Sequence, residues 1–135
     1  MRHQILLDVD TGRDDALAIM FAVLHPDIDV RGITCVAGNT SLDKVSDNTL
    51  KILDFVDAQH IPVALGAQRP LIEPLRDASW IHGTHGIGDV ELPPSGRRVV
   101  EMHAVELMKK CLTDVDEGLT IFALGPMTNI ALLLR

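Results

Sequence analysis

Two kinds of apolar pattern alternate along this chain. Short, nearly continuous apolar runs bounded by glycine, proline or asparagine are typical of strands buried on both faces. Longer segments with apolar residues three and four positions apart are typical of helices that bury one face. The apolar runs predict strands at residues 4–9, 29–37, 62–65 and 119–123. The helical spacing predicts helices at residues 14–24, 40–58 (with Thr40 and Ser41 as its cap), 101–112 and from 127 onward.

The order of these elements predicts a fold of the α/β class. Strands that alternate with helices at this spacing form parallel sheets with right-handed crossovers, so we expect a Rossmann-like open sheet with flanking helices. The first helix is expected to carry Leu17, Met20, Phe21 and Leu24 on one apolar face. Residues 66–98 hold four of the seven prolines and five of the ten glycines, which predicts a long irregular segment.

Polar segments follow three of the predicted strands. Residues 10–15, 38–39 and 124–129 all come directly after an apolar run. Ligands of open parallel sheets bind outside the carboxyl ends of the strands. We therefore expect the functional site at this edge of the sheet.

Composition and charge indicate which kinds of partner the protein is not expected to bind. The 135 residues are the length of one domain, and 47% hydrophobic but only 3% aromatic residues indicate an aliphatic core. The net charge of −7 argues against a nucleic-acid partner, because phosphate binding needs a basic face. No apolar run reaches the roughly 18 residues of a membrane helix and none resembles a signal peptide, so we expect no membrane partner and a cytoplasmic protein. Cys35 and Cys111 lie far apart and are expected to be buried thiols in a reducing compartment.

Four aspartates are crowded at the end of the first predicted strand: Asp8, Asp10, Asp14 and Asp15. The helix macrodipole favours Asp14 and Asp15 in a first helical turn. It does not explain Asp8 and Asp10, whose side chains point the same way because they alternate along a strand. Like charges this close repel, so the cluster predicts a cation site. Carboxylate oxygens suit Ca²⁺ or Mg²⁺ better than zinc.

Two other aspartate motifs bear comparison with this cluster. An EF-hand loop starting at Asp8 would need glycine at its sixth position and glutamate at its twelfth, where this chain has Arg13 and Ile19. Phosphatases of the haloacid-dehalogenase type also open on a strand with D-x-D, followed two places later by threonine or valine. Gly12 occupies that position here, and the phosphatase class stays an alternative.

Five motifs in order resemble a known family. They read DVDTGRDDALAI (8–19), GITCVAGN (32–39, followed by DNTLKIL), PVALGAQRPL (62–71), HGTHGIGD (82–89) and ALGPMTNIAL (123–132). Together they are similar to the inosine-uridine preferring nucleoside hydrolases, whose opening motif reads D-x-D-P-G-x-D-D. Thr11 stands where the family usually has proline, which removes no ligand. Residues 1–135 resemble the N-terminal part of a single, longer nucleoside hydrolase domain.

The resemblance implies an activity and a set of site residues. It implies hydrolysis of the N-glycosidic bond of ribonucleosides to ribose and free base by a Ca²⁺-bound water, with Asp10 as the general base. The implied Ca²⁺ ligands are the carboxylates of Asp10 and Asp15 and the main-chain carbonyl of Leu124. The other implied roles are ribose binding by Asp14 and Asn39, contact with the leaving base by His82, and support of the cluster from behind by Asp8.

The resemblance also implies that part of the site lies outside this stretch. In the family, a fourth carboxylate ligand, the contacts to the ribose 5′ end and the acid for the leaving base belong to the second half. We therefore expect the isolated chain to be inactive, and to form a homo-oligomer or to associate with a C-terminal half. A non-catalytic domain with the same fold is the further alternative. Thr128 and Asn129 are also typical of cap residues for the last helix.

Overall fold

A computed structural model of the chain describes residues 1–83, 85–88 and 90–135, without the side chains of Ser79 and His82. In this part of the chain, four parallel strands form the central sheet. The strands are β1 (His3–Val9), β2 (Ile28–Cys35), β3 (Val63–Leu65) and β4 (Thr120–Ala123). The helices are α1 (Arg13–Leu24), α2 (Leu42–Phe55), α3 (Ser79–His82), α4 (Ala104–Thr113) and α5 (Thr128–Leu133). The predicted α/β fold with an open parallel sheet is confirmed.

The strand order β3-β2-β1-β4 creates a topological switch point. The chain proceeds outward from β1 through β2 to β3, and then returns to pair β4 with the other side of β1. The crossover after β1 leads to β2 on one side of β1, and the crossover after β3 leads to β4 on its other side. Ligands of open parallel sheets bind in the crevice at the carboxyl ends of the strands at such a point. The sheet therefore places its natural binding crevice where the aspartate cluster follows β1.

Two hydrophobic cores cover the two faces of the sheet. Because side chains alternate along a strand, Ile5, Leu7 and Val9 of β1 pack in the core that includes residues of α1 and α2. Leu6 packs on the opposite face, in the core that includes Met108 of α4 and residues of α5. Asp8 has the same parity as Leu6 and thus points towards the α5 side.

The predicted apolar face of α1 is wrong for three of its four residues, whereas Met20 is partly buried against the core. Leu17, Phe21 and Leu24 are exposed, while Ile19 and three small or polar side chains of the helix are buried. The buried set is Asp15, Ala16, Ile19 and Ala22. The helix is apolar on most sides, so its largest side chains do not mark the inner face. The small Ala16 and Ala22 lie on the buried face, and the larger Leu17, Phe21 and Leu24 are left outside.

The ends of several elements differ from their predicted positions. The second strand ends at Cys35 rather than at 37, and α2 begins after Ser41, whose side chain makes no capping hydrogen bond. The fourth helical segment begins at Ala104 instead of 101, because the His103 side chain caps it by accepting from the Val105 N–H. Residues 66–98 are irregular as expected, apart from the single turn of α3.

The helices of the described residues are too short to cross a membrane. None combines the length and the apolar character that a membrane span needs.

Candidate functional site

The carboxyl ends of β1, β2 and β4 bring the predicted site residues to one edge of the sheet. Asp10 follows β1, Asn39 follows β2, and Leu124 follows β4. The Leu124 N–H donates to the main-chain carbonyl of Asp8 at 2.8 Å, which fixes the end of β4 beside the end of β1. The three segments predicted from their position after strands are thus neighbours in space.

Asp10 is held by hydrogen bonds from two directions. Its own N–H donates to Oδ2 of Asp15 at 2.9 Å, and its Oδ2 accepts the N–H of Asn39 at 2.9 Å. The Asn39 side-chain amide donates to the Asp10 carbonyl at 3.1 Å, which leaves the Asn39 side-chain oxygen for another partner. Asp10 and Asp15 are both buried, and the hydrogen bond from the Asp10 N–H fixes the Asp15 carboxyl at the end of β1.

Asp8 is completely buried beneath this pair. Its Oδ1 accepts the Thr34 hydroxyl at 2.6 Å and the Asn129 amide at 2.9 Å. Its Oδ2 has no hydrogen-bond partner among the described residues. A buried carboxylate oxygen without a partner is costly unless a proton, water or cation satisfies it.

Burial dominates the electrostatics of the cluster. It raises the pKa of the Asp8 and Asp10 carboxyls above their ordinary value. Burial, the hydrogen bond with Asp10 and the nearby charge of Asp10 raise the pKa of Asp15 to about 8. Within the described part of the chain, no lysine or arginine is ion-paired with these three carboxyls. Burial therefore favours the neutral forms of these carboxyls, and a nearby positive charge would favour the ionised forms.

Two glycines give the Asp10 carboxylate its space. A Cβ on Gly38 would overlap Oδ2 of Asp10 and would stand 2.7 Å from Cδ of Pro126. A Cβ on Gly125 would stand 3.1 Å from Cγ of Asp10. At Gly38 only glycine lets the chain after β2 approach the carboxylate this closely, whereas at Gly125 a side chain would need its neighbours to shift slightly.

The long segment after β3 is anchored to the same edge. The N–H of Ala67 donates to the side-chain oxygen of Asn129 at 2.9 Å, and the N–H of Ala78 donates to the Asn39 carbonyl at 2.9 Å. The part of the irregular segment from Ala67 to Ala78 is therefore tied to this edge at both of its ends.

The structure brings most of the predicted site residues together. Asp14 is exposed in the first turn of α1, next to the buried Asp15. The residues that meet at the edge of the sheet are Asp8, Asp10, Asp15, Asn39 and the main chain of Leu124. The His82 backbone ends α3, and its side chain lies outside the described residues.

Asn129 has a different place from the one predicted. The cap of α5 is Met127, without a side-chain hydrogen bond, and Asn129 lies inside the first turn with its side chain completely buried. Its amide reaches Asp8, which is 121 positions away in the sequence. One feature of the sequence could have indicated this role for Asn129. It comes soon after a predicted strand, in a sheet whose strand ends were expected to meet.

The donor set suits part of a hard-cation site. In the described part of the chain, no three His, Cys, Asp or Glu side chains are grouped so that they could hold a metal ion. Asp10 and Asp15 nevertheless provide adjacent buried carboxylates, and the unpartnered Oδ2 of Asp8 lies in the same polar cluster. Oxygen ligands of this kind match Ca²⁺, which takes 6–8 of them, so these residues match only part of a coordination shell.

Comparison with known proteins shows that nearly the whole chain is similar to nucleoside hydrolases. The sequence profile of the inosine-uridine preferring nucleoside hydrolases matches residues 5–135. The non-specific ribonucleoside hydrolase RihC of Salmonella agona is 43% identical over 130 residues, which are 96% of this chain and 42% of that protein. The pyrimidine-specific ribonucleoside hydrolase RihA of Escherichia coli O127:H6 is 44% identical over 135 residues, all of this chain and 43% of that protein.

Solved structures show the same similarity. The purine-preferring ribonucleoside hydrolase of Gardnerella vaginalis superposes with a TM-score of 0.91 at 34% sequence identity, covering 97% of this chain and 43% of that one. The chain therefore spans less than half the length of the relatives that it matches.

Proposed function

Because the chain belongs to the inosine-uridine preferring nucleoside hydrolase family, we propose that it forms the carboxylate-bearing part of an enzyme that hydrolyses the N-glycosidic bond of ribonucleosides. The products would be ribose and the free base. The contact between Asp10 and Asp15 at the switch point of the sheet carries this proposal. Family membership removes the support for a phosphatase of the haloacid-dehalogenase type, which shared only the D-x-D element.

Asp10 is the general base in this proposal. Its carboxylate is oriented by the Asn39 N–H and lies against Asp15, so it can accept a proton from a water bound at the pair. Departure of the base leaves positive charge on the sugar, as in other glycoside hydrolyses. A surrounding rich in carboxylates favours that charge, which gives the crowded aspartates a catalytic reason.

Ca²⁺ is the cofactor that we propose for the site. Asp10, Asp15 and the main-chain carbonyl of Leu124 would hold it, and the remaining ligands would come from outside this stretch. When bound, Ca²⁺ supplies charge that lowers the pKa of a water and attracts the ribose hydroxyls. Asp8 supports the cluster from the α5 side of the sheet without joining the ligand set.

Substrate contacts complete the proposal. Asp14, exposed beside Asp15, and the side-chain oxygen of Asn39 would accept hydrogen bonds from the ribose hydroxyls. His82 would contact the leaving base. It follows Ala78 in the segment after β3, and the N–H of Ala78 donates to the main-chain carbonyl of Asn39.

The part of the site in this stretch is not sufficient for turnover in our proposal. Matched relatives are more than twice as long, and the described residues hold no group of three metal-binding side chains. We therefore propose that the 135-residue chain alone is inactive. Its partner would be a C-terminal half or a second copy of the chain.

Calcium-dependent stability tests the proposed cation site. Millimolar Ca²⁺ should raise the melting temperature, because a ligand that binds only the folded state stabilises it by mass action. At a tenfold excess over the dissociation constant the gain is about 1.4 kcal/mol. The double variant Asp10→Ala with Asp15→Ala should show no gain, as measured by differential scanning fluorimetry with and without Ca²⁺.

Asp27→Ala is the matched control, because Asp27 is an exposed aspartate that follows α1 at the opposite end of the helix. It should keep the full calcium-dependent rise. An equal rise in the double variant would refute the assignment of Asp10 and Asp15.

A further inference from the structure

The Asn129 side chain connects three strand ends beneath the proposed cation site. Its Nδ2 donates to Oδ1 of Asp8 at 2.9 Å and to the main-chain carbonyl of Cys35 at 3.0 Å. Its Oδ1 accepts the N–H of Ala67 at 2.9 Å. One amide thus contacts the end of β1, the end of β2 and the chain just after β3, while its own helix follows β4.

The surroundings allow this amide little freedom. Asn129 is completely buried, and a Cβ on Gly66 would overlap its amide group. Asp8, the carboxyl partner, is fully buried as well and is held from the β2 side by Thr34. Buried polar groups whose hydrogen bonds are all made in one arrangement specify that arrangement, because any other leaves a partner unsatisfied.

The backbone connects the contact between Asn129 and Asp8 to the proposed ligands. The main-chain carbonyl of Asp8 accepts the N–H of Leu124, whose own carbonyl we propose as a ligand. Asp10 follows Asp8 by two residues, and the Cys35 carbonyl held by Asn129 lies on the segment that leads to Asn39. A shift of the Asn129 amide would therefore move Asp10 and Leu124 relative to each other.

We propose that Asn129 is a positioning residue of the proposed cation site, acting through its simultaneous contacts with Asp8, the Cys35 carbonyl and the Ala67 N–H. The inference depends on the proposed function. Asn129 touches neither the cation nor the substrate in this account, and its effect is on the arrangement of the groups that do. Partners of this kind typically change metal affinity by about 10- to 100-fold when they are removed.

Calcium affinity separates positioning from a purely structural role. Asn129→Ala should weaken Ca²⁺ binding by about 10- to 100-fold in isothermal titration, at a temperature where circular dichroism shows the variant folded. Met108→Ala is the matched control, because Met108 is fully buried in the core on the same face of the sheet and has no polar contact with the site. It should lower the melting temperature and leave the affinity unchanged.

A double-mutant cycle tests the contact between positions 8 and 129. The variants are Asp8→Ala, Asn129→Ala and the two together, because a simple exchange of the two side chains would place a carboxylate against the Cys35 carbonyl. If Asn129 acts through Asp8, the two losses in Ca²⁺ affinity should be less than additive. Strictly additive losses would contradict action through this contact.

Hydrogen exchange tests the same inference without any substitution. Ca²⁺ should slow exchange of the Ala67 N–H, which Asn129 holds, more than exchange of the Val100 N–H, which donates to Val63 away from the cluster. If the wild-type chain binds Ca²⁺ and neither the affinity of Asn129→Ala nor the exchange at Ala67 changes, the positioning role is refuted. If the wild-type chain binds no Ca²⁺, the proposed cation site fails and the inference fails with it.

Discussion

At the scale of single residues, Gly38 sets how closely the chain after β2 can approach Asp10. Gly38→Ala would place a methyl group against Oδ2 of Asp10 and the Pro126 ring, where there is no room for it. We expect a loss of about 1–3 kcal/mol in the free energy of unfolding, as for other overpacked sites. Calcium affinity should fall in the same variant, because the Asp10 carboxylate is displaced. Chemical denaturation and calcium titration measure the two effects.

Gly96→Ala is the control for this substitution. No atom lies within 4 Å of a Cβ at Gly96, so this variant should match the wild type in both measurements. Equal calcium affinity of Gly38→Ala and the wild type would contradict the placement of Asp10 in the cation site.

The site residues differ in how far the sequence could predict them. Asp8, Asp10 and Asp15 lie within eight positions, so strand alternation and the first turn of α1 were enough to group them. Asn129 was predicted as a helix cap, because its local surroundings resemble one. Its role depends on β4 pairing with β1 rather than with β3, a choice of strand order that no local pattern contains.

At the scale of elements, the existence and type of every strand could be predicted, whereas the inner face of α1 could not. The strands leave apolar runs that are visible in a single sequence, both at the largely buried β1 and at the mostly exposed β4. In α1, large apolar residues occur on both sides, and only contact with the sheet selects the face of Ala16 and Ile19 over that of Leu17 and Phe21. Periodicity thus decides the type of an element more readily than its orientation.

The edge of the sheet formed by β4 is a surface at which another chain can pair. In the part of the chain that the structure describes, β4 pairs with β1 along one side only, and Phe122 of β4 is 47% exposed. Beside it, Phe21 and Leu124 line a groove of about 170 Å³ that reaches the core residue Leu7. An exposed apolar edge strand is a template for pairing with another chain.

Self-association through β4 is the expected consequence. Phe122→Lys should shift the chain towards the monomer in size-exclusion chromatography with light scattering, because a charge on an edge strand opposes pairing. Leu71→Lys, at an exposed position of the irregular segment, should leave the association unchanged. A wild-type chain that is already monomeric at high concentration would refute this prediction.

At the scale of the whole molecule, the chain covers 42% and 43% of the lengths of the two curated relatives, so they are more than twice as long. We expect the purified chain to release no ribose from inosine or uridine, with or without Ca²⁺. Replacing the matching 42% of the Salmonella agona enzyme with this chain should give a chimera that releases ribose, because the missing ligands and substrate contacts would then be supplied.

In that chimera, Asp10→Asn should reduce turnover by about 10²- to 10⁴-fold, the usual contribution of a general base. The Asp27→Ala chimera should keep its rate. Ribose release by the isolated chain at the rate of the chimera would refute the incomplete site, and an Asp10→Asn chimera of undiminished rate would remove Asp10 from the chemistry.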